Sequence, residues 1–267
     1  IQVEKVGELM VYGPQVMSSV SGETLTGESL GGAKAMAAQG GVALTAASED
    51  EAISLAVQVL DLLPGSNAED APLMDGDDMN RLLPAVDAMD SDALLAAMAD
   101  NASFIELYKE WGKALRVALC RMGGRSVGIV CSNAKENDGM ITPAAAAKAA
   151  RFIRLCDCYS LPVVSLINSK GVAVPEAKAQ SWTMITASQL LYAEATCPKV
   201  SVVVGNAIGQ AYVAMGGKAN ADVCYAWPGA VISALTPEAA VQVLYVDELK
   251  NSKKPALEAR AELEAKY

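Results

Sequence analysis

The residues with the clearest chemical potential lie where a predicted strand meets a predicted helix, at residues 200–218. Valines at positions 200 and 202–204 predict a short buried strand, a glycine-rich turn follows at 205–209, and small residues then recur at helical spacing. The first backbone N–H groups of a helix have no acceptor within it, so they bind negative charge. We therefore interpret the junction as a site that stabilises an oxyanion. The competing interpretation is purely structural, because most such junctions in α/β folds only connect elements.

The chain contains no histidine, and this narrows the possible chemistry. Ser-His-Asp and Cys-His nucleophiles and histidine-ligated metals are excluded. The six cysteines include one closely spaced pair, Cys156 and Cys158, and no second pair at metal-binding spacing. We therefore expect reduced cysteines, a cytoplasmic location and no metal site. Catalysis has to rely on backbone amides, carboxylates, lysines, tyrosines or the groups of a cofactor.

The composition excludes several classes of partner. The net charge is −10 and there is no basic patch, which argues against nucleic acid. Hydrophobic residues make up 52% of the chain, yet charges interrupt every long apolar stretch, so we expect no membrane-spanning helix. The first residues also lack the pattern of a signal peptide.

An acidic stretch at residues 65–100 separates two regions of more regular pattern. Its DGDD sequence at 75–78 lacks the glycine and glutamate spacing of a calcium-binding loop, so we interpret the stretch as a solvated linker. Ahead of it, Ser48 is predicted to cap a helix that has one apolar face. That face consists of Ile53, Val57 and Leu60.

Strand and helix signals alternate after residue 100. Gly123 and Gly124 predict a hairpin turn between two strands. Thr142-Pro143 predicts the start of a helix that reaches about residue 159 and carries Lys148 away from its buried face.

The alternation predicts an α/β fold in which helices flank one twisted, mostly parallel sheet. Ligands of such sheets bind at the loops that follow the carboxyl ends of the strands. Two such loops stand out, at residues 168–172 and 205–211, with a long helix predicted between them at 179–195.

Four stretches resemble the carboxyltransferase component of biotin-dependent acyl-CoA carboxylases and decarboxylases. In chain order they are ESLGGAKAMAAQGGVA, AAKAARFIRLCDCYSLPVVSLINSKG, AEATCPKVSVVVGNAIGQAYVAMGGK and ADVCYAWPGAVISALTPEAAVQVL. The resemblance covers residues 13–249, and its most specific parts are KAARFIRLCDCYSLPVV and AWPGA. It implies the crotonase (ClpP-like) superfamily fold, a twisted sheet flanked by helices.

The resemblance also implies how the chain is organised. Members of the family have two related halves, of which the first mainly binds the acyl-CoA and the second mainly receives carboxybiotin. Residues 1–64 resemble the end of the first half, 65–100 form the acidic linker, and 101–267 resemble the second half. The chain is then one part of a larger enzyme, and we expect it to be inactive or very weak alone.

The implied cofactor is biotin, carried as carboxybiotin on a carrier protein, and the implied substrate is a short-chain acyl-CoA. The implied partners are the biotin carboxyl carrier protein, a first-half carboxyltransferase chain or region, and further subunits of a homo- or hetero-oligomer. A sodium-pumping decarboxylase would add a peripheral contact with a membrane subunit. The sequence leaves the direction of carboxyl transfer open.

In the family, the second-half oxyanion hole is made of backbone N–H groups in a Gly-Gly-Ala segment, which is Gly209-Gln210-Ala211 here. The resemblance implies that the N–H groups of Gln210 and Ala211 stabilise the anion left when carboxybiotin releases CO₂. The ring nitrogen of biotin can then take the α-proton of the acyl thioester. The residues implied on the biotin side are Gly171, Gly209 and Tyr212.

Val213 follows the tyrosine, and the resemblance implies that it lines an apolar pocket for a short acyl chain. Three positions depart from the family pattern. The proline of the family's Pro-Gly-Phe loop is replaced by Lys170, and two family histidines are replaced by Met36 and Leu44.

Two alternatives stay open. The altered loops and the missing first half also fit a non-catalytic assembly or binding paralogue of the same fold. Another crotonase-fold acyl-CoA enzyme, such as a hydratase, would need paired carboxylates over the acyl group. The nearest glutamate to either predicted loop is Glu176.

Overall fold

A computed structural model describes residues 1–83, 85–173, 186, 189–190, 193, 195–252 and 254–266. Most of the predicted helix at 179–195, and Glu176, therefore lie outside the described residues. The strands are β1 (Gln2–Val3), β2 (Thr45–Ala46), β3 (Phe104–Leu107), β4 (Leu115–Met122), β5 (Arg125–Ser132), β6 (Val163–Ser169), β7 (Lys199–Ile208), β8 (Val223–Ala226) and β9 (Val231–Ser233). The described α-helices are α1 (Pro14–Ser21), α2 (Gly27–Gly31), α3 (Ala33–Ala38), α4 (Glu49–Asp61), α5 (Ser91–Met98), α6 (Pro143–Cys158), α7 (Gly209–Ala214), α8 (Pro237–Leu244), α9 (Val246–Asn251) and α10 (Ala256–Glu264).

One seven-stranded sheet organises the chain, in the order β3-β4-β5-β6-β7-β8 with β9 paired to β7. Strands β3, β4 and β5 are antiparallel, whereas β5, β6, β7 and β8 are parallel. Gly123 and Gly124 close the predicted β4–β5 hairpin at φ angles of 59° and 77°, which favour glycine. The predicted α/β architecture is confirmed, and the carboxyl ends of β5, β6 and β7 meet at one edge.

Helix α6 packs against one face of this sheet and begins where the sequence predicts. The hydroxyl of Thr142 accepts from the N–H of Ala145 at 3.2 Å, and Pro143 occupies the first turn. The prediction for Lys148 is wrong, because this side chain is completely buried. Its Nζ donates to the carbonyl oxygen of Tyr108 at 3.3 Å, and burial lowers the pKa of Lys148 to about 8.

Helix α5 covers the other face and corrects part of the interpretation of 65–100 as a solvated linker. Leu94 and Leu95 are buried against Ile129 and Leu166 in a second core cluster. Asp90, which the sequence presents as one more linker acid, caps this helix by accepting from two backbone N–H groups at 3.1 Å. The division of the chain into two halves and a linker remains a prediction.

Other acidic residues of this stretch hold the segment onto the sheet. The carboxylate of Asp100 accepts from the N–H groups of Gly123 and Gly124 at 3.1 and 2.7 Å. Arg81 lies 3.6 Å from the carboxylates of both Asp77 and Asp100. Within the described ranges, no group of three or more cysteine, aspartate or glutamate side chains is arranged to hold a metal.

Arg151 on α6 contacts both the N-terminal region and the loop after β3. Its guanidinium carbon lies 5.3 Å from the ring centres of both Tyr108 and Trp111. Its Nη1 also donates to the carbonyl oxygen of Gly40 at 2.6 Å. The N-terminal region is therefore anchored to α6 by a stacked and hydrogen-bonded arginine.

Helix α4 forms as predicted, but its apolar face is not buried. Ile53, Val57 and Leu60 are 64%, 61% and 69% exposed. A contiguous apolar face in solvent is typical of an interface with another chain or segment. In the part of the chain that the structure describes, no helix has both the length and the apolar character needed to cross a bilayer.

Candidate active site at the carboxyl ends of the parallel strands

Strand β7 and helix α7 form the predicted junction, but the chain turns later than expected. Residues 205–208 are not a turn, because β7 continues to Ile208 and pairs there with both β6 and β9. The direction changes at Gly209, whose φ is 55°. A Cβ atom at this position would lie 2.9 Å from the carbonyl oxygen of Ala234, so glycine fits here both in conformation and in space.

Asn168 explains why a glycine occurs inside the strand at 205. Its side chain is buried, and its Oδ1 accepts from the N–H of Asn206 at 2.9 Å. A Cβ atom on Gly205 would lie 2.4 Å from that same Oδ1. The Nδ2 of Asn168 donates to the carbonyl oxygen of Ala88 at 2.9 Å. Asn168 thus joins β6, β7 and the acidic segment beside the junction.

Sequence reasoning did not assign this role to Asn168. The available signal was weak, namely an asparagine at the start of a predicted loop and an unexplained glycine in the next strand. Their relation depends on a pairing between residues 38 positions apart in the chain, which local patterns do not contain.

The start of α7 presents backbone donors, as the sequence predicts. The helix begins at Gly209 without a side-chain cap. No carbonyl oxygen of a described loop or turn accepts from the N–H of Gln210 or Ala211, and first-turn N–H groups have no acceptor inside their own helix. The two positions differ in exposure, since Gln210 lies at the surface and Ala211 is completely buried.

Gly171 follows β6, the strand that pairs with β7. The register pairs Ser169 with Ala207, two positions before Gly171 and before Gly209. Gly171 has a φ of 138°, and among the described residues a Cβ atom there would meet nothing within 4 Å.

The surroundings of Tyr212 and Val213 differ from those of the helix start. The hydroxyl of Tyr212 accepts from the N–H of Lys218 at 3.1 Å and lies 3.8 Å from the Sγ of Cys224, beyond the other end of α7. Burial raises the pKa of Tyr212. Val213 is 41% exposed on the surface.

Charged groups gather around Lys170, which precedes the open glycine. The N–H of Lys170 donates to the carbonyl oxygen of Asp138 at 3.2 Å, and its Nζ lies 3.3 Å from Oδ1 of the same residue. Glu238 lies in the first turn of α8, and its own N–H, the Thr236 hydroxyl and the charge of Lys170 lower its pKa. The sequence patterns missed both acidic residues as neighbours of the site.

The geometry suits the binding and stabilisation of an anion more than proton transfer. The donors at the helix start are backbone N–H groups, which do not titrate. Of the carboxylates nearby, Asp138 is paired with Lys170, and the lowered pKa of Glu238 makes it a poor general acid near neutral pH.

The comparisons with known proteins point in one direction. The family model of the carboxyl transferase domain matches residues 1–267. A putative propionyl-CoA carboxylase beta chain of Bacillus subtilis is 36% identical over 262 residues, which are 94% of this chain and 52% of that protein. The methylmalonyl-CoA decarboxylase subunit alpha of Veillonella parvula is 36% identical over 268 residues, with 94% and 52% covered.

A solved structure agrees with these relatives. Transcarboxylase 12S, described as a hexamer with methylmalonyl-coenzyme A and methylmalonic acid bound, superposes with a TM-score of 0.89 and 30% identity. The match covers 99% of this chain and 54% of that one. The chain thus spans about half the length of the relatives that it matches.

Proposed function

Because the chain belongs to the carboxyl transferase domain family and has its crotonase-like fold, we propose that it moves a carboxyl group between carboxybiotin and a short-chain acyl-CoA. The observation that carries the proposal is the family match over all 267 residues. The relatives include proteins named as carboxylases and as decarboxylases, so the proposal covers both directions of transfer.

The described residues fit biotin as the carrier of the carboxyl group. The bound cofactor would supply the ring nitrogen that holds the carboxyl group and that accepts the α-proton of the acyl thioester. Gln210 is an exposed residue whose N–H would bind the ureido oxygen, and the N–H of the buried residue Ala211 would be a second donor. Among the described residues, nothing fills the position of a side chain on Gly171, which would leave room for the ring.

The remaining predicted site residues take supporting roles in the proposal. Gly209 turns the chain between β7 and the start of α7. Tyr212 fixes α7 to the loop after it through Lys218. Val213 would contact the acyl group only if a second subunit or the other half covers its exposed surface.

The partners in the proposal are a biotin carboxyl carrier protein and a first-half carboxyltransferase chain or region, assembled as a homo- or hetero-oligomer. The exposed faces support such an assembly, since Val243 and Leu244 on α8 are 64% and 61% exposed in addition to the face of α4. The cytoplasmic location and the contact with a membrane decarboxylase subunit stay predictions.

The second candidate is a non-catalytic assembly paralogue. The complete burial of Ala211 favours this candidate. An anion could accept a hydrogen bond from the Ala211 N–H only after the protein atoms that cover this residue move away. A hydratase is less well supported, because Glu238 is held ionised and Asp138 is paired with Lys170.

An exchange assay separates these candidates. The chain is mixed with a first-half carboxyltransferase chain, free biotin, a labelled carboxylated acyl-CoA and an unlabelled short acyl-CoA. The proposal predicts label transfer that needs biotin, and transfer without the first half should be far slower. A complete mixture that forms the expected complex but transfers no label would overturn the catalytic proposal in favour of the assembly paralogue.

A further inference from the structure

Lys170 lies in sequence between the end of β6 and Gly171 of the proposed site. It follows Ser169, which pairs with Ala207 two positions before the turning Gly209. The donors around it are neutral backbone groups, while the whole chain carries a net charge of −10. An anionic ligand therefore meets a general repulsion that a local cation at this position offsets.

The fold holds the backbone of Lys170 and leaves its ammonium group available. The N–H is fixed by the carbonyl oxygen of Asp138, whose own φ is 54°. The side chains of Lys170 and Asp138 are 49% and 51% exposed, and ion pairs this exposed contribute little to stability. Exchanging the carboxylate of Asp138 for that of a ligand therefore costs little.

A second carboxylate lies within electrostatic range of Lys170. The charge of Lys170 is one of the causes that lower the pKa of Glu238. Lys170 is half-exposed and precedes Gly171, where a Cβ atom would meet no described atom within 4 Å, so a ligand carboxylate can reach its ammonium group.

We propose that the Nζ of Lys170 binds the carboxylate that is being transferred, in place of Asp138. This inference rests on the proposed function and deepens it by naming a residue that distinguishes carboxylated from uncarboxylated ligands. The carboxylate can arrive on carboxybiotin or on a carboxylated acyl-CoA, and the chemistry recognised is the same.

The first experiment measures binding without turnover. The chain assembled with its first half, and without biotin, is titrated with methylmalonyl-CoA and with propionyl-CoA, which differ by one carboxylate. Lys170→Met should weaken methylmalonyl-CoA binding about tenfold or more and leave propionyl-CoA within about twofold, because one charged hydrogen bond is lost. Lys170→Arg, which keeps the charge, should restore most of the affinity.

Lys135→Met is the matched control. Lys135 also pairs with an aspartate at 3.3 Å, and it is 56% exposed. Lys135→Met therefore changes the net charge and removes an exposed ion pair, as Lys170→Met does. This variant should alter the binding of neither ligand.

The second experiment distinguishes the two sources of the carboxylate. The KM for carboxybiotin and the inhibition constant of biotin are compared between the wild type and Lys170→Met. A selective rise in that KM assigns the carboxylate to carboxybiotin, a selective loss of methylmalonyl-CoA affinity assigns it to the acyl-CoA, and either result supports the proposal.

If Lys170→Met changes neither the affinity for methylmalonyl-CoA nor the KM for carboxybiotin, or lowers the affinity for carboxylated and uncarboxylated ligands equally, the inference is overturned and the proposed function stays intact. A wild-type assembly that transfers no carboxyl group would instead overturn both.

Discussion

Two clusters of loops lie at the same edge of the sheet and differ in what they offer a ligand. At the ends of β6 and β7 the donors are backbone N–H groups beside glycines. At the end of β3 and the start of β4, a cavity of about 270 Å³ is lined almost entirely by charged and polar side chains, including Glu106, Arg116 and Lys148. By residue type alone, the second cluster would be the obvious site.

Charged side chains of the second cluster are already paired with one another. Arg116 holds Glu106 through two hydrogen bonds, lies 2.6 Å from Asp92 and donates to Ser91 at 3.0 Å. Lys148 is buried beneath it. At the first cluster, no carbonyl oxygen of a described loop or turn accepts from the N–H of Gln210. In the proposal, free hydrogen-bonding capacity, more than density of charge, marks the site.

The largest expected effect concerns the paired cluster. Arg116→Met should lower the free energy of unfolding by about 3–5 kcal/mol, because Glu106, only 9% exposed, would be left as a buried unpaired charge. Urea unfolding measures this. Adding Glu106→Gln should recover part of the loss, and carboxyl transfer per folded molecule should change little. A loss under about 1 kcal/mol would show that the cluster is not held as described.

Lys148 should make the stability depend on pH. Its pKa falls from 10.5 to about 8 on folding, so between these values the unfolded chain binds more protons and the free energy of unfolding rises with pH. The cost of burying the ammonium group is fully present below pH 8. Relative to Lys148→Met, the wild type should gain roughly 3 kcal/mol from pH 7 to pH 10.5.

Lys113→Met provides the control for Lys148, because Lys113 lines the same cavity but is 50% exposed. This variant should keep the pH dependence of the wild type. Identical pH profiles for Lys148→Met and the wild type would contradict the burial of a titrating amine.

The smallest of these stability effects, about 2 kcal/mol, is expected at the first cluster. Asn168→Ala leaves the Asn206 N–H and the Ala88 carbonyl without their partner. Gly205→Ala alone should also destabilise, since its methyl group would lie 2.4 Å from Asn168 Oδ1. In the double variant the methyl group has room, so the two losses should not add. Additive losses in urea unfolding would argue against the close contact.

The sequence predicts those features of the fold that interactions between neighbouring residues determine. Thr142-Pro143 sets the start of α6, and Gly123-Gly124 sets the β4–β5 hairpin, because each acts within a few residues. Local patterns indicate a turn at Gly205, because the side chain that requires a glycine there, Asn168, belongs to another strand.

Burial was the property that sequence patterns predicted least well. By residue type and position, Lys148 is expected at the surface. Its Nζ instead donates a hydrogen bond to a carbonyl oxygen 40 residues away in the chain. Leu94 and Leu95 lie among acidic residues that suggest a solvated linker, and only the sheet beneath them explains their burial. The chemistry of the site stays a prediction, which rests on a chain without histidine that leaves backbone donors as the main candidates.

The most direct test of the central claim compares Gln210→Pro with Gln210→Ala in the enzyme assembled with its first half. Proline removes the N–H and is tolerated in a first helical turn, whereas alanine keeps the N–H and removes only the side chain. The account predicts that labelled carboxyl transfer falls about 100-fold or more in the proline variant and stays near the wild-type rate in the alanine variant. A correctly folded proline variant that transfers label at the wild-type rate would contradict it.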